Sequence, residues 1–232
     1  MSAAPDSGTR ARLLEAAGEL FAERGFRGAT LRDIAERAGA NLAAANYHFG
    51  SKQALYLEVV NAQFERLERR LLALGAAPDL AALDRLSRAE LVALLRGRLQ
   101  AMLDNLLEEG GLHGTLMQRE LTDPSEALPL IVARFIEPQR DLLRRIVTRL
   151  APGLSPAEAQ WCTESVVGMA SFYLTHRAAL LILHGRTAYP PAFTRQAAEH
   201  VARFALGGIE GLVADRTRRA RARPRARPAA RR

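Results

Sequence analysis

At 232 residues the chain is long enough for a small head and one larger domain. Its formal charge of +8 is not a property of the fold: nine of the 33 basic residues are arginines between 216 and 232, where no acid occurs, and the remaining 24 stand against 25 acids. A hydrophobic share of 48% can fill a core, the single Cys162 excludes an internal disulfide framework, and no apolar run approaches the ~18 residues of a membrane span.

The start, MSAAPDSG, is polar and reads as no secretory leader, so a reducing, cytoplasmic setting is expected. A first helix is predicted over 9–24, with Leu13, Ala17, Leu20 and Phe21 on one face and Gly25 at its end. Thr30 is a natural N-cap, and Asp33 completes a capping box for a second helix whose apolar face is Leu31, Ile34, Ala35 and Ala38. Gly39 then suits a left-handed exit, and Asn41 caps a third helix only two residues later. Two short helices joined by a tight glycine turn make a helix-turn-helix, at about 31–50.

The chemistry of the third helix sharpens that reading. Ala43, Ala44 and Ala45 let a backbone approach a surface closely, and Asn46 can pair with an adenine edge or a phosphate. Tyr47 and His48 offer donors to phosphate oxygens, and Ser51 caps the next helix, where Lys52 stands in the first turn. From Arg37 to Leu57 there is no Asp or Glu, which avoids repulsion from a phosphate backbone. The plainer alternative is an ordinary helical hairpin, which would leave Tyr47, His48 and Lys52 without a common purpose. Thr30, Tyr47, His48 and Lys52 are therefore the candidate phosphate holders. Asn41, Ala43, Ala44 and Asn46 are the candidates to face bases.

A fourth helix, from Lys52 to about 74, has an inner face of Leu55, Val59, Ala62 and Leu67 and can link a head to a body. The stretch 75–86, with Pro78, is the connector, and Ser87 with Glu90 caps a helix from 88 to 109 that Gly110 and Gly111 end. A short helix at about 112–121 follows. Asp123, Pro124 and Glu126 predict the start of another, running to about 150 and kinked or split at Pro138. Ser155, Pro156 and Glu158 repeat the capping pattern for a long helix to about His184. A last helix spans about 192–214, and the arginine-rich segment 216–232 is expected to be disordered. With no strand signal and no repeat, the chain reads as all-α with about nine helices: a head over 8–70 and a helical ligand-binding and dimerisation domain over 80–215.

In that body, Trp161, Val166, Met169, Phe172 and Tyr173 on one helix, and Val201, Phe204, Ile209 and Leu212 on the last, form stripes wide enough to pair with a second copy. Two heads on paired half-sites also gain affinity and length of readout, so a homodimer on double-stranded DNA is expected. Met102, Leu106, His113, Met117, Phe135, Trp161, Tyr173 and His176 are candidates to line a ligand cavity, although each taken singly reads more readily as core. Glu120 is open to two readings, a buried carboxylate or an exposed partner of Arg119. The five histidines are scattered without metal-ligand spacing, and no phosphate loop, nucleophile elbow or placed carboxylate pair occurs, so neither metal, cofactor nor catalysis is expected. The competing class is a non-specific nucleic-acid binder driven by the arginine segment.

The segments Leu13-Leu14-Glu15-Ala16-Ala17, Leu20-Phe21-Ala22-Glu23-Arg24-Gly25-Phe26 and Tyr47-His48-Phe49-Gly50-Ser51-Lys52-Gln53-Ala54-Leu55 resemble the N-terminal motif of the TetR family of bacterial transcriptional regulators. The likeness covers about 9–58. It departs at Asn46, where the family usually carries an aromatic, and near Ala44, where a polar residue such as Thr is usual. NYHFGSK, with Arg119-Glu120-Leu121 followed by DPSEAL, looks like the CecR-type subgroup. The resemblance implies a dimeric repressor released from its operator by a small-molecule inducer.

Overall fold

A computed structural model describes residues 7–78, 81–108 and 111–222. The described chain is helical throughout and holds no strand: α1 (Ser7–Gly28), α2 (Leu31–Arg37), α3 (Leu42–Phe49), α4 (Lys52–Ala73), a 3-10 turn (Leu83–Arg85), α5 (Arg88–Leu107), α6 (Leu112–Thr122), α7 (Leu128–Ile131), a π-helical turn (Val132–Ile136), α8 (Glu137–Leu150), α9 (Pro156–Thr175), α10 (Arg177–Leu183) and α11 (Phe193–Ala222). Because α7, the π turn and α8 are continuous, the described residues form ten helices rather than about nine. No single helix among them is long and apolar enough to cross a membrane.

The capping chemistry falls where the sequence puts it. Thr30, Ser87 and Ser155 each close a reciprocal capping box, with Asp33, Glu90 and Glu158 as partners. Asn41 and Ser51 accept from the backbone N–H of Ala44 and Ala54. The main axis of α1 ends at Gly25, whose φ of 72° no side-chain-bearing residue adopts cheaply.

Three expectations are corrected. Asp123, Pro124 and Glu126 do not start a helix, which begins at Leu128 instead. Asp123 is drawn into an ion pair with Arg27, and the Ser125 N–H donates to Glu120, so the segment's polar groups are spent on tertiary bonds. The helix expected to reach His184 breaks at His176, and α10 leaves α9 at 69°. Thr175 turns its hydroxyl back to the Ser171 carbonyl, and the Tyr189 hydroxyl donates to the Tyr173 carbonyl at 2.7 Å, holding the bend from outside. The third correction is at the arginine segment: α11 carries helix through 216–222, while 223–232 lie outside the described residues. At Pro138, where a kink or a split is expected, the helix is not split. The Glu137 N–H bonds the Val132 carbonyl in a π turn, which absorbs the proline one residue later.

One hydrophobic cluster runs without interruption from Leu13, Phe21, Ile34, Ala45 and Phe49 in the head, through Tyr56, Val59 and Phe64 of α4, to Leu95, Leu103, Ile131 and Val166 in the body. Each fully buried side chain of this size contributes about 1.5–3 kcal/mol. Helix α5 runs antiparallel to α4: Asn105 and Glu108 lie beside Arg70, and Gly97 lies against Leu74 and Ala76. Helix α11 reverses again, with Thr194 near Arg70, Glu199 paired to Arg96 and Glu210 to Arg88.

Candidate DNA-reading head and body interior

Ala45 and Phe49 turn inward from α3 and anchor it on α1 and α2, which leaves the opposite face to solvent. On that face Ala43, Asn46 and Tyr47 are exposed, and Tyr47 stands 74% clear of the protein. Asn46 donates to the Leu42 carbonyl of its own helix at 3.1 Å, and Asn41 is held as cap by the Ala44 N–H at 2.8 Å. The His48 ring lies edge-on to Tyr47, and its Nε2 is buried without a hydrogen-bond partner. The head therefore presents a rigid helix whose outer surface is small, polar and free of acids.

Two of the candidate phosphate holders are already engaged. The Thr30 hydroxyl donates to Asp33 Oδ2 at 2.8 Å, and its backbone N–H donates to the same oxygen at 3.2 Å, so its donors are spent. These bonds and nearby Arg24 hold the Asp33 carboxyl below its ordinary pKa. Lys52 Nζ donates to the Phe26 carbonyl at 2.9 Å and sits 4.4 Å above the Phe26 ring. That carbonyl lies just past Gly25, where the main axis of α1 ends and a cation is favourable. An ammonium has three donors, so Lys52 keeps two for an anion while it pins α4 to the end of α1.

The junction of head and body is tied by α6. Arg119 donates to the Ala22 carbonyl at 2.7 Å and the Glu23 carbonyl at 2.6 Å, satisfying the exposed end of α1. Arg27 answers from the head, pairing with Asp123 at 2.5 Å and donating to the Pro124 carbonyl. Beneath them Glu120 is buried: it accepts from the Tyr56 hydroxyl at 2.7 Å and from the Ser125 N–H at 3.1 Å. Burial, then the Glu120 carboxylate, pushes the Tyr56 phenol far above its ordinary pKa. Glu120 is thus the buried carboxylate of the two readings, while Arg119 serves the α1 carbonyls instead of pairing with it.

The ligand candidates divide. Leu106, His113 and Phe135 are buried, and the Phe64 ring lies 5.1 Å from His113 and 5.0 Å from Phe135. Met102, Met117 and Tyr173 pack partly buried against the same core. Trp161 and His176 do not join them: Trp161 is 64% exposed on α9, and His176 lies outside, stacked on Phe172. Sequence reasoning missed Gln63, Arg70 and Asn105. Gln63 Oε1, Asn105 Nδ2 and His113 Nδ1 are all buried without partners. Asn105 Oδ1 accepts from Arg70, which also pairs with Glu108 at the edge of a groove of about 490 Å³ lined by Leu74, Asp104, Leu107 and Thr194. Burial, with a smaller contribution from Arg70, lowers the His113 pKa to about 4, so the ring is neutral at pH 7. The available signal was a polar residue at a core position: Gln63 is four residues from both Val59 and Leu67, and Asn105 four from Ala101.

With that geometry in view, comparison with known proteins is specific. Residues 13–59 match the model of the tetR family of bacterial regulatory proteins. Residues 88–209 match the C-terminal domain of the HTH-type transcriptional dual regulator CecR. The repressor KstR2 of Rhodococcus jostii is 36% identical over 96 residues, 41% of this chain and 44% of its own length. CecR of Shigella flexneri is 30% identical over 144 residues, 59% of this chain and 61% of its own. The chain thus matches less than two thirds of the length of either relative. Two solved structures share the fold at low identity. A transcriptional regulator from Rhodococcus sp. Rha1 has a TM-score of 0.58 at 19% identity, covering 86% of this chain and 96% of that one. AibR, in complex with isovaleryl coenzyme A and operator DNA, has a TM-score of 0.56 at 17% identity over 86% and 96%. The chain belongs to the TetR family of DNA-binding transcriptional regulators, with a body of the CecR C-terminal type.

Proposed function

We propose that the protein is a cytoplasmic homodimeric repressor whose grip on operator DNA is released by a small molecule bound in its body. The observation that carries the reading is α3, a capped helix with an exposed face of Ala43, Asn46 and Tyr47 on a rigid three-helix base. Asn46 and the alanines face bases. Tyr47, His48 and the two remaining Lys52 donors hold phosphates. Asn41 serves first as the cap, and Thr30 reaches a phosphate only by giving up Asp33.

Dimerisation is supported by apolar surface that one copy leaves open. Trp161 and Phe172 on α9, and Phe204 and Leu212 on α11, are exposed. Gly168, Gly207, Gly208 and Gly211 on the same helices have open space where a Cβ would be, which allows close helix approach. The inducer reading rests on the unpaired atoms Gln63 Oε1, Asn105 Nδ2 and His113 Nδ1, which cost free energy unless a bound molecule completes them. AibR, which shares the fold, was captured with isovaleryl coenzyme A. Acyl thioesters are accordingly the first ligands to try.

The test is selection of duplexes from a random pool, then fluorescence anisotropy at ~150 mM salt with excess competitor. Wild type should recover one motif, and Asn46→Ala/Tyr47→Ala should bind it at least tenfold more weakly. Recovery of no motif, or equal binding by both proteins, would remove the reading.

A further inference from the structure

The unpaired polar atoms of the body state what a ligand must offer. Gln63, Asn105 and His113 are 8%, 1% and 6% exposed, so each unpaired atom carries a desolvation cost. Gln63 adjoins Phe64, whose ring meets His113, while Arg70 bonds Asn105 and its charge acts on His113, so the three share one region. Asn105 is the decisive member. Its Oδ1 accepts from Arg70, and a guanidinium can only donate, so the orientation of the amide is fixed. The unpaired end is therefore Nδ2, a donor that requires an acceptor. Arg70 also lines the groove of about 490 Å³ between α4, α5 and the start of α11, so it touches both open space and the buried amide.

Charge at this mouth is balanced. Glu108 faces Arg70 at 2.9 Å and Arg66 at 3.6 Å, and Asp104 adds a second acid to the groove wall. His113 is neutral at pH 7, since burial lowers its pKa to about 4. These groups leave no surplus cation for a carboxylate or a phosphate, and an anion taken inside would lose its hydration without gaining a counter-charge. Apolar surface adjoins the polar atoms. The Phe64 ring stacks on Phe135 and meets His113 edge-on. Met102 and Met117 pack partly buried against the same core, and their unbranched side chains can repack around a guest.

We propose that the body admits through this groove an uncharged carbonyl compound with an apolar chain, an amide or ester and not a carboxylate or phosphate, whose carbonyl oxygen accepts from Asn105 Nδ2. The proposal rests on the inducer reading for its place in regulation, while its chemistry is set by Asn105 and by the balanced charge around it. An acyl thioester meets the requirement through its carbonyl, and a phosphate-free carrier suits the acids of the groove better than a phosphorylated one.

The test is calorimetry on the full-length protein without DNA. The probes are the straight-chain amides from hexanamide to dodecanamide and the carboxylates of the same lengths, at about pH 7, where the carboxylates are ionised. Wild type should bind at least one amide, at least about tenfold more tightly than the matching carboxylate. Asn105→Asp keeps an acceptor for Arg70 but has no donor, so amide binding should fall at least about tenfold and the matching alkylammonium ion should bind instead. Asn105→Leu should show the same loss without the gain. No amide bound by wild type, a carboxylate bound as tightly as its amide, or an amide held undiminished by both variants overturns the proposal. The wild-type comparison decides it even where a variant fails to fold, which circular dichroism reports. The inducer reading is judged separately, by adding the tightest amide to protein on the operator selected above. Binding that leaves operator affinity unchanged would remove that reading and keep the site.

Discussion

Two buried polar regions lie within a few turns of α4 and α6, and they are built to opposite rules. At the junction with the head, Tyr56, Glu120 and the Ser125 N–H satisfy one another, and Arg119 and Arg27 close the surface above them. One step into the body, Gln63, Asn105 and His113 each keep a buried atom unpaired. A paired cluster in a low-dielectric interior is stiff, because every movement breaks a bond that nothing replaces. An unpaired one is a standing cost that a ligand can relieve. Under the proposed ligand-released mechanism, the junction transmits and the interior receives. Since α6 carries both Glu120 and His113, the signal need not travel through α4 alone.

The comparison breaks most sharply at Glu120. Glu120→Ala strands the Tyr56 hydroxyl and the Ser125 N–H inside the protein and opens a cavity. A loss of about 3 kcal/mol is expected. Urea unfolding followed by circular dichroism measures it. A loss below about 1 kcal/mol would mean that water replaces the carboxylate and that the junction is not stiff.

His113 tests the other side through pH. Its folded pKa of about 4 lies below the ordinary 6.5, so the unfolded chain takes up the proton first. The stability linked to it is whole above pH 6.5 and falls as the pH drops towards 4, by roughly 3 kcal/mol at most. His113→Phe should flatten that slope, and at pH 7 it should raise stability by roughly 1 kcal/mol by removing an unpaired nitrogen beside Phe64. The same variant should respond less to any inducer. An unchanged slope would place the acid sensitivity elsewhere. The capping carboxylates Asp33, Glu90 and Glu158, whose pKa values their serine or threonine partners lower, are the next sources, and they lose their contribution only below the ordinary carboxylate range.

The head was legible because its signals are local. Thr30 with Asp33, Gly39, Asn41 and Ser51 each act within four residues, and the structure uses every one as a turn or cap. What failed was long-range. Asp123-Pro124-Glu126 has the same local grammar as Ser155-Pro156-Glu158, yet only the second starts a helix, because Arg27, almost a hundred residues away in sequence, claims Asp123. The break at His176 depends likewise on Tyr189 reaching back to Tyr173. Trp161 and His176 were placed inside by type alone, and only the packing direction of α9 puts them outside. Asn105 and Gln63 went unread because apolar periodicity counts what belongs in a core and passes over the polar residue among it.

The smallest expected change in stability is the most informative about coupling. Arg119 is a half-exposed side chain whose two bonds go to carbonyls at the end of α1, so Arg119→Ala should cost only about 1 kcal/mol. Yet it removes the contact by which α6 holds the head. If the junction transmits, the variant keeps its fold and its affinity for ligand while the ligand's effect on operator affinity shrinks, since a ligand shifts an equilibrium only through contacts that differ between the two states. Anisotropy on the selected operator, with and without ligand, reads that ratio directly. A full ligand effect in Arg119→Ala would leave α4, with Lys52 pinned at the Phe26 carbonyl, as the carrier of the signal.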